Sequence, residues 1–232
     1  MFQQFIARGA LALSALAAAG LAQAADYGSN LIVNGGAEAG TSGWNGYTGI
    51  DLFSAVEYGS NWVLPTQPGP VERGASLFVG GSGVAYAAAS QETSLASFSS
   101  AISTGKVGYT LSGWLGGWLA QDDSTQLTAR FFDASSNLIA STTLGPTTPA
   151  SRNGETGLFA MSTSGYVPTG AASVQFVLEM TRVDGGDNDG YADNLAFTLT
   201  SAVPEPESYA LMLAGLGVLG FIARRRSSNG RG

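Results

Sequence analysis

From Tyr109 to Ala120 apolar and small residues alternate: Tyr109, Leu111, Leu115 and Leu119 share one face with Gly113 and Gly117, and Thr110, Ser112, Trp114, Gly116, Trp118 and Ala120 share the other. A period of two predicts a β-strand with one buried face. Gln126 to Phe132 forms a second predicted strand. Asp133-Ala134-Ser135-Ser136-Asn137 supplies turn chemistry, and Leu138 to Thr143 returns as a hairpin. Val174, Phe176, Leu178 and Met180 then alternate with Ser173, Gln175, Val177 and Glu179, and a last strand sets Leu195, Phe197 and Leu199 on one side. Heptads, long helical periodicity and internal repeats are absent from the sequence. Short alternating runs between Gly, Asn, Ser and Pro clusters predict an all-β, antiparallel sandwich.

The two ends break this pattern. Arg8 precedes an apolar, Ala-rich run that finishes in Ala22-Gln23-Ala24, so residues 1–24 read as a secretory signal peptide forming a signal helix. At the other end Val203-Pro204-Glu205-Pro206-Glu207-Ser208 leads into fifteen almost wholly apolar residues, Tyr209 to Ala223, and then Arg224, Arg225 and Arg226. The run is short of the roughly twenty residues that span a bilayer comfortably, and flanking residues can compensate. The arginines favour the cytoplasmic side. Residues 25–203 remain as one domain, and 204–232 as a separate C-terminal unit.

That C-terminal unit resembles the PEP-CTERM sorting signal, a Pro-Glu-Pro motif followed by a short transmembrane helix and a basic tail. The resemblance implies a Gram-negative bacterium whose exosortase recognises Pro204, Glu205 and Pro206, with Arg224, Arg225 and Arg226 as the basic flank. It also implies export, transient anchoring in the inner membrane, and delivery to the cell surface, outer membrane or extracellular matrix.

Composition narrows the chemistry of the middle domain. The sequence has neither Cys nor His, which removes disulfides, thiolate metal sites and the commonest general base. Residues 25–203 hold five basic residues against fifteen acidic ones, a formal charge of −10, so nucleic acid is excluded as a partner.

Asn30-Leu31-Ile32-Val33-Asn34-Gly35-Gly36-Ala37-Glu38-Ala39-Gly40 opens the domain and is followed by Gly43-Trp44, and Asp189-Gly190-Tyr191-Ala192-Asp193-Asn194-Leu195 closes it. Together these segments resemble the opening and closing motifs of galactose-binding-like jelly rolls, which include several families of carbohydrate-binding modules and many PEP-CTERM proteins. The resemblance implies a jelly-roll β-sandwich and a structural Ca²⁺ held by Glu38 and Asp193 with backbone carbonyls. The alternative is that Glu38 caps a turn and Asp193 satisfies loop amides. The acidic run Asp184 to Gly190 is not an EF-hand loop, because aligning Gly190 with the required glycine puts Gly185 and Ala196 where carboxylates are needed. It reads as a flexible acidic turn.

Trp114 and Trp118 would project from one sheet face about 13 Å apart in an extended strand. They are candidates for stacking on sugar rings, with Trp44, Tyr47 and Trp62 contributing from loops; the alternative is burial beneath a neighbouring segment. Gly116 between them leaves room for a ligand or for a packed loop. Asp122 and Asp123 would face opposite ways if extended, which makes them poor partners for carboxylate catalysis requiring about 5 to 5.5 Å separation. No catalytic residue and no organic cofactor are assigned. The expected function is non-catalytic association with extracellular polysaccharide. A structural surface or biofilm matrix role without a small ligand is the alternative, and a carboxylate glycosidase or lyase ranks behind both.

Overall fold

A computed structural model of the chain describes residues 26–201 together with 213, 214 and 216. The signal-peptide expectation, the Pro-Glu-Pro motif, the arginine triplet and most of the C-terminal helix lie outside the described residues. Among the described residues no helix is long and apolar enough to cross a membrane.

The domain is an antiparallel β-sandwich of two five-stranded sheets. The first sheet runs β1 (Asn45–Gly46), β4 (Tyr86–Ser94), β9 (Ser173–Thr181), β6 (Ser124–Phe132), β7 (Leu138–Leu144). The second runs β2 (Ser54–Glu57), β3 (Ser76–Ser82), β10 (Asp187–Thr200), β5 (Gly108–Gly117), β8 (Gly157–Tyr166). The predicted hairpin is β6–β7, and the Asp133 carboxylate closes its turn by accepting from the Ser135 and Asn137 amides.

The alternation read from the sequence sets the inner faces. Val174, Phe176, Leu178 and Met180 of β9 are buried against Leu111 and Leu115 of β5 and against Leu195, Phe197 and Leu199 of β10. Tyr109, Phe131, Phe176 and Phe197 meet at the centre with ring centroids 5.1 to 6.1 Å apart, tying both sheets together. A second aromatic group, Trp44, Phe53 and Phe78, packs edge to face at 5.0 to 6.0 Å nearer the opening segment.

The opening segment is laced onto β10. Asn30 Oδ1 accepts from the Ile32 and Phe197 amides, and Asn30 Nδ2 donates to the Leu195 carbonyl. The Leu31 amide donates to the Phe197 carbonyl, and the Leu195 amide to the Gly35 carbonyl. A Cβ on Gly35 would stand 2.0 Å from the Leu195 carbonyl oxygen, so the two backbones touch there because this residue has no side chain. The opening and closing motifs therefore meet in space.

The second sheet is covered on its outer face as well. Residues 58–75, a segment without regular structure, lie over Leu77, Val79, Leu158 and Tyr191, and Val63 completes a small second core with them. Leu77, Phe78 and Val79 are consequently all buried, two facing outward and one inward.

Two expectations for β5 need correction. The strand ends at Gly117 rather than Ala120, because Leu119 takes a left-handed φ of 41° and its side chain is 50% exposed instead of joining the buried face. Gly116 leaves room neither for a ligand nor for a packed loop: a Cβ there would lie 1.8 Å from the Gly157 carbonyl oxygen of neighbouring β8. Gly116→Ala is accordingly expected to destabilise the fold by about 3 kcal/mol or more, through backbone displacement at the β5–β8 pair. Gly186→Ala, with open space around the new methyl group, is expected to stay within about 0.5 kcal/mol of the parent. Urea unfolding of the two full-length variants checks both.

Candidate functional site

At the rim of the covering segment lies a cleft of about 330 Å³. Asn61 and Trp62 come from the cover, Ser82 from the end of β3, Trp118 and Gln121 from the bend after β5, and Gly186, Asp187 and Asp189 from the turn entering β10. Four separate stretches of chain converge, and the fold fixes each of them.

Arg152 holds the bend after β5. Its side chain is fully buried, and Nη2 donates to the carbonyls of Trp118 (3.4 Å), Leu119 (3.0 Å) and Gln121 (3.0 Å). The guanidinium lies against Gly117, where a Cβ would stand 2.9 Å from Cζ. Burial lowers its pKa, and the carboxylates of Asp122, Asp123 and Asp189 act against that shift. The Leu119 amide donates to Thr156 Oγ1 at 3.1 Å, completing the attachment.

Asp123 holds the turn entering β10. Fully buried, it accepts from the amides of Val183 (2.6 Å), Asp184 (2.8 Å) and Asp189 (2.9 Å). The run read as a flexible acidic turn is thus divided. Asp184 to Asp187 are exposed, whereas Asn188 and Asp189 are buried in the first residues of β10, since three amides bonded to one carboxylate leave that stretch little freedom. Asn188 Nδ2 donates to the Met180 carbonyl, and Asp189 Oδ1 accepts from the Tyr191 hydroxyl at 2.6 Å. Burial raises the pKa of Asp189, chiefly by desolvation and further by the Asp123 charge.

The sequence-derived aromatic candidates separate. Trp62 and Trp118 both line the cleft, and Trp62 stands edge-on to Tyr191 at 6.3 Å. Trp114 lines a different hollow of about 230 Å³, with Ser112, Met161 and Asn194 among its neighbours. Trp44 is 5% exposed within the main core, which withdraws it from any solvent-facing sugar surface. Tyr47 is half-buried just beyond β1, the edge strand of the first sheet, and does not line the cleft. Gln121, which follows Trp118 in the sequence as a polar group suited to sugar hydroxyls, does line the cleft, whereas sequence reasoning missed Arg152 and Asp189 as site-forming residues, and the pairing of Trp62 with Trp118 has no sequence signal, because 56 positions separate them.

The Glu38 charge acts on Asp193, well behind burial as a cause of its upward shift. Asp193 is fully buried: Oδ2 accepts from the Tyr58 hydroxyl at 2.6 Å and Oδ1 from the Asn194 amide at 2.7 Å. Glu38 Oε1 accepts from the Ala75 and Ser76 amides, both at 2.9 Å. The Arg73 guanidinium lies 5.0 Å from the Tyr58 ring centroid. Among the described residues no group of three or more acidic side chains converges as a metal cluster, so backbone and water oxygens would supply most of a calcium ion's ligands. Burial pushes the Asp193 carboxyl up to about 7.

No curated protein matches the chain. Among solved structures the chain is similar to a family 16 carbohydrate-binding module, at 22% identity and a TM-score of 0.49 over 73% of this chain and 99% of that one. It is also similar to the CBM22-1 xylan-binding domain from Paenibacillus barcinonensis Xyn10C, at 14% identity and a TM-score of 0.42 over 78% and 100%. An arabinose-bound α-L-arabinofuranosidase, MgGH51, is similar over 68% of this chain and 23% of its own, at 14% identity and a TM-score of 0.39. Residues 202–226 match the PEP-CTERM protein-sorting motif, so this jelly-roll sandwich belongs to an exported chain that carries a PEP-CTERM sorting signal.

Proposed function

We propose that the domain is a non-catalytic polysaccharide-binding module on a protein that exosortase processes and delivers to the cell surface or extracellular matrix. The observation that carries the reading is the cleft between Trp62 and Trp118. Two indole side chains offer apolar faces to the C–H side of a sugar ring, and Asn61, Ser82, Gln121, Asp187 and Asp189 stand ready to bond its hydroxyls. The bend and the turn that carry these groups are anchored by buried charges, which favours a preformed site. A matrix role by display alone, without a small ligand, is the competing reading and leaves the cleft without a task.

The test is titration of the full-length protein, in detergent, with a panel of soluble polysaccharides while tryptophan fluorescence is read. Binding by the parent and a loss of about tenfold or more in affinity for Trp118→Ala are expected. Trp114→Ala, outside the cleft, should retain affinity within about threefold. No binding across the panel would leave display without a ligand as the account, and equal losses in both variants would remove this cleft as the binding site.

Calcium at Glu38 and Asp193 is a second part of the proposal. Its support is that Glu38 belongs to the opening segment and Asp193 to β10, which that segment is hydrogen-bonded to, and binding would require Tyr58 to release Oδ2 of Asp193. A calcium-induced rise in the melting midpoint, removed by Glu38→Ala or Asp193→Ala, is the expected result. Without calcium, the folded Asp193 carboxyl at about 7 keeps a proton that the unfolded group, at 3.8, has given up. The folded state therefore binds more protons between these values, and stability falls as pH rises through that window and levels off above it. Calcium needs the ionised form, so its midpoint shift should be larger near pH 8 than near pH 5.5, measured by thermal melts in both buffers.

A further inference from the structure

The chemistry of the cleft reaches beyond sugar stacking, because its ionisable lining is of one sign. Asp187 and Asp189 line it, and among the described residues no Lys or Arg does. Asp187 is exposed. Asp189 is 9% exposed, with Oδ1 bonded to the Tyr191 hydroxyl and no protein donor on Oδ2 among the described residues. Arg152, the nearest buried cation, directs its Nη2 at three carbonyls of the bend, and Arg182 gives Nη1 to the Gly186 carbonyl. Neither guanidinium lines the cleft.

Gln121 Oε1, an acceptor of the same lining, is buried with no hydrogen-bond partner among the described residues, which is costly unless a ligand supplies a donor, and Asp189 Oδ2 is left open to one. The flanking Trp62 and Trp118 rings add negative π faces that attract a cation and repel an anion. Indole faces together with carboxylates are the groups that recognise an ammonium. Resting on the polysaccharide-binding reading above, we propose that the cleft selects amine-bearing glycans, whose hexosamine units carry a free protonated amino group, and rejects uronate polymers. Trp62 and Trp118 take the ring, Asp189 Oδ2 accepts from the ammonium, and Asp187 adds attraction from the rim.

Three oligosaccharides of equal length separate the possibilities: β-1,4-linked glucosamine oligomers, the same oligomers fully N-acetylated, and oligogalacturonate. Each is titrated into full-length protein in detergent at mildly acidic pH, at low and at high salt. The free-amine oligomer is expected to bind about tenfold tighter than its acetylated twin at low salt, with oligogalacturonate weakest. The ratio between amine and acetyl forms should shrink at high salt and fall toward one in Asp187→Asn and Asp189→Asn. The salt series on the parent keeps the test intact if Asp189→Asn fails to fold.

Equal affinity for the amine and acetyl forms, or a preference that survives high salt and both amide variants, overturns the charge selection while leaving sugar binding in place. Tightest binding by oligogalacturonate overturns it equally. Absence of binding by every oligomer, or affinities untouched by Trp118→Ala, overturns the cleft reading and this inference with it.

Discussion

The second sheet has two apolar faces, and the rest of the molecule is arranged around that fact. Leu111, Leu115 and Phe197 turn toward the first sheet, while Leu77, Val79, Leu158 and Tyr191 turn away from it. Burying each such side chain stabilises the fold by roughly 1.5–3 kcal/mol, so an uncovered outer face would forfeit several of these terms together. Residues 58–75 supply the cover, though they form no strand or helix. Their backbone is tied down at many points: Tyr58 to Ala75, Gly59 to Val63, Leu158 to Pro68, and Asn194 Nδ2 to the Glu72 carbonyl. Arg73 donates to the carbonyls of Pro70 and Gln67 within the same segment. The cleft is where this cover meets the loops at one end of the sheet.

Carboxylates in this protein do much of the work that secondary structure does elsewhere. Asp123 gathers three amides, Asp133 closes a turn, Glu38 gathers two amides, and Asp193 joins the covering segment to β10 through Tyr58. The acidic balance of the domain therefore has an architectural component as well as a surface one. Asp122 and Asp123, adjacent in sequence, illustrate the division: the first is not buried, and the second is wholly buried and committed to backbone donors.

What the sequence made legible was whatever depends on a period of two. β9 and β10 place their alternate apolar residues inward as read, and the Asp133 turn sits where its residue types predict. The contact between the opening and closing motifs was legible through resemblance. The site was only partly so. Trp118 and Trp62 were among the aromatic candidates, yet Trp118 leaves the strand at the left-handed Leu119, and no spacing rule brings it to a residue of the irregular cover. Arg152, a lone cation among polar loop residues, gives no sign in the sequence that it will be enclosed. The burial of Asp189 depends equally on Asp123, 66 positions away.

The fourteen-residue β10 has the cleft at its first residues and the chain's exit toward the sorting segment at its last. From Asp189 to Thr200 an extended strand covers roughly 35 Å. The opening segment lies along the exit half of the same strand, with the Gly28 amide on the Leu199 carbonyl. The proposed grip and the segment leading to the sorting signal would thus sit at opposite poles of one strand that is hydrogen-bonded on both sides. A load between a surface attachment and a polymer held in the cleft would pull β10 lengthwise, so that its ladders to β3 and β5 share the force in shear instead of opening one bond at a time.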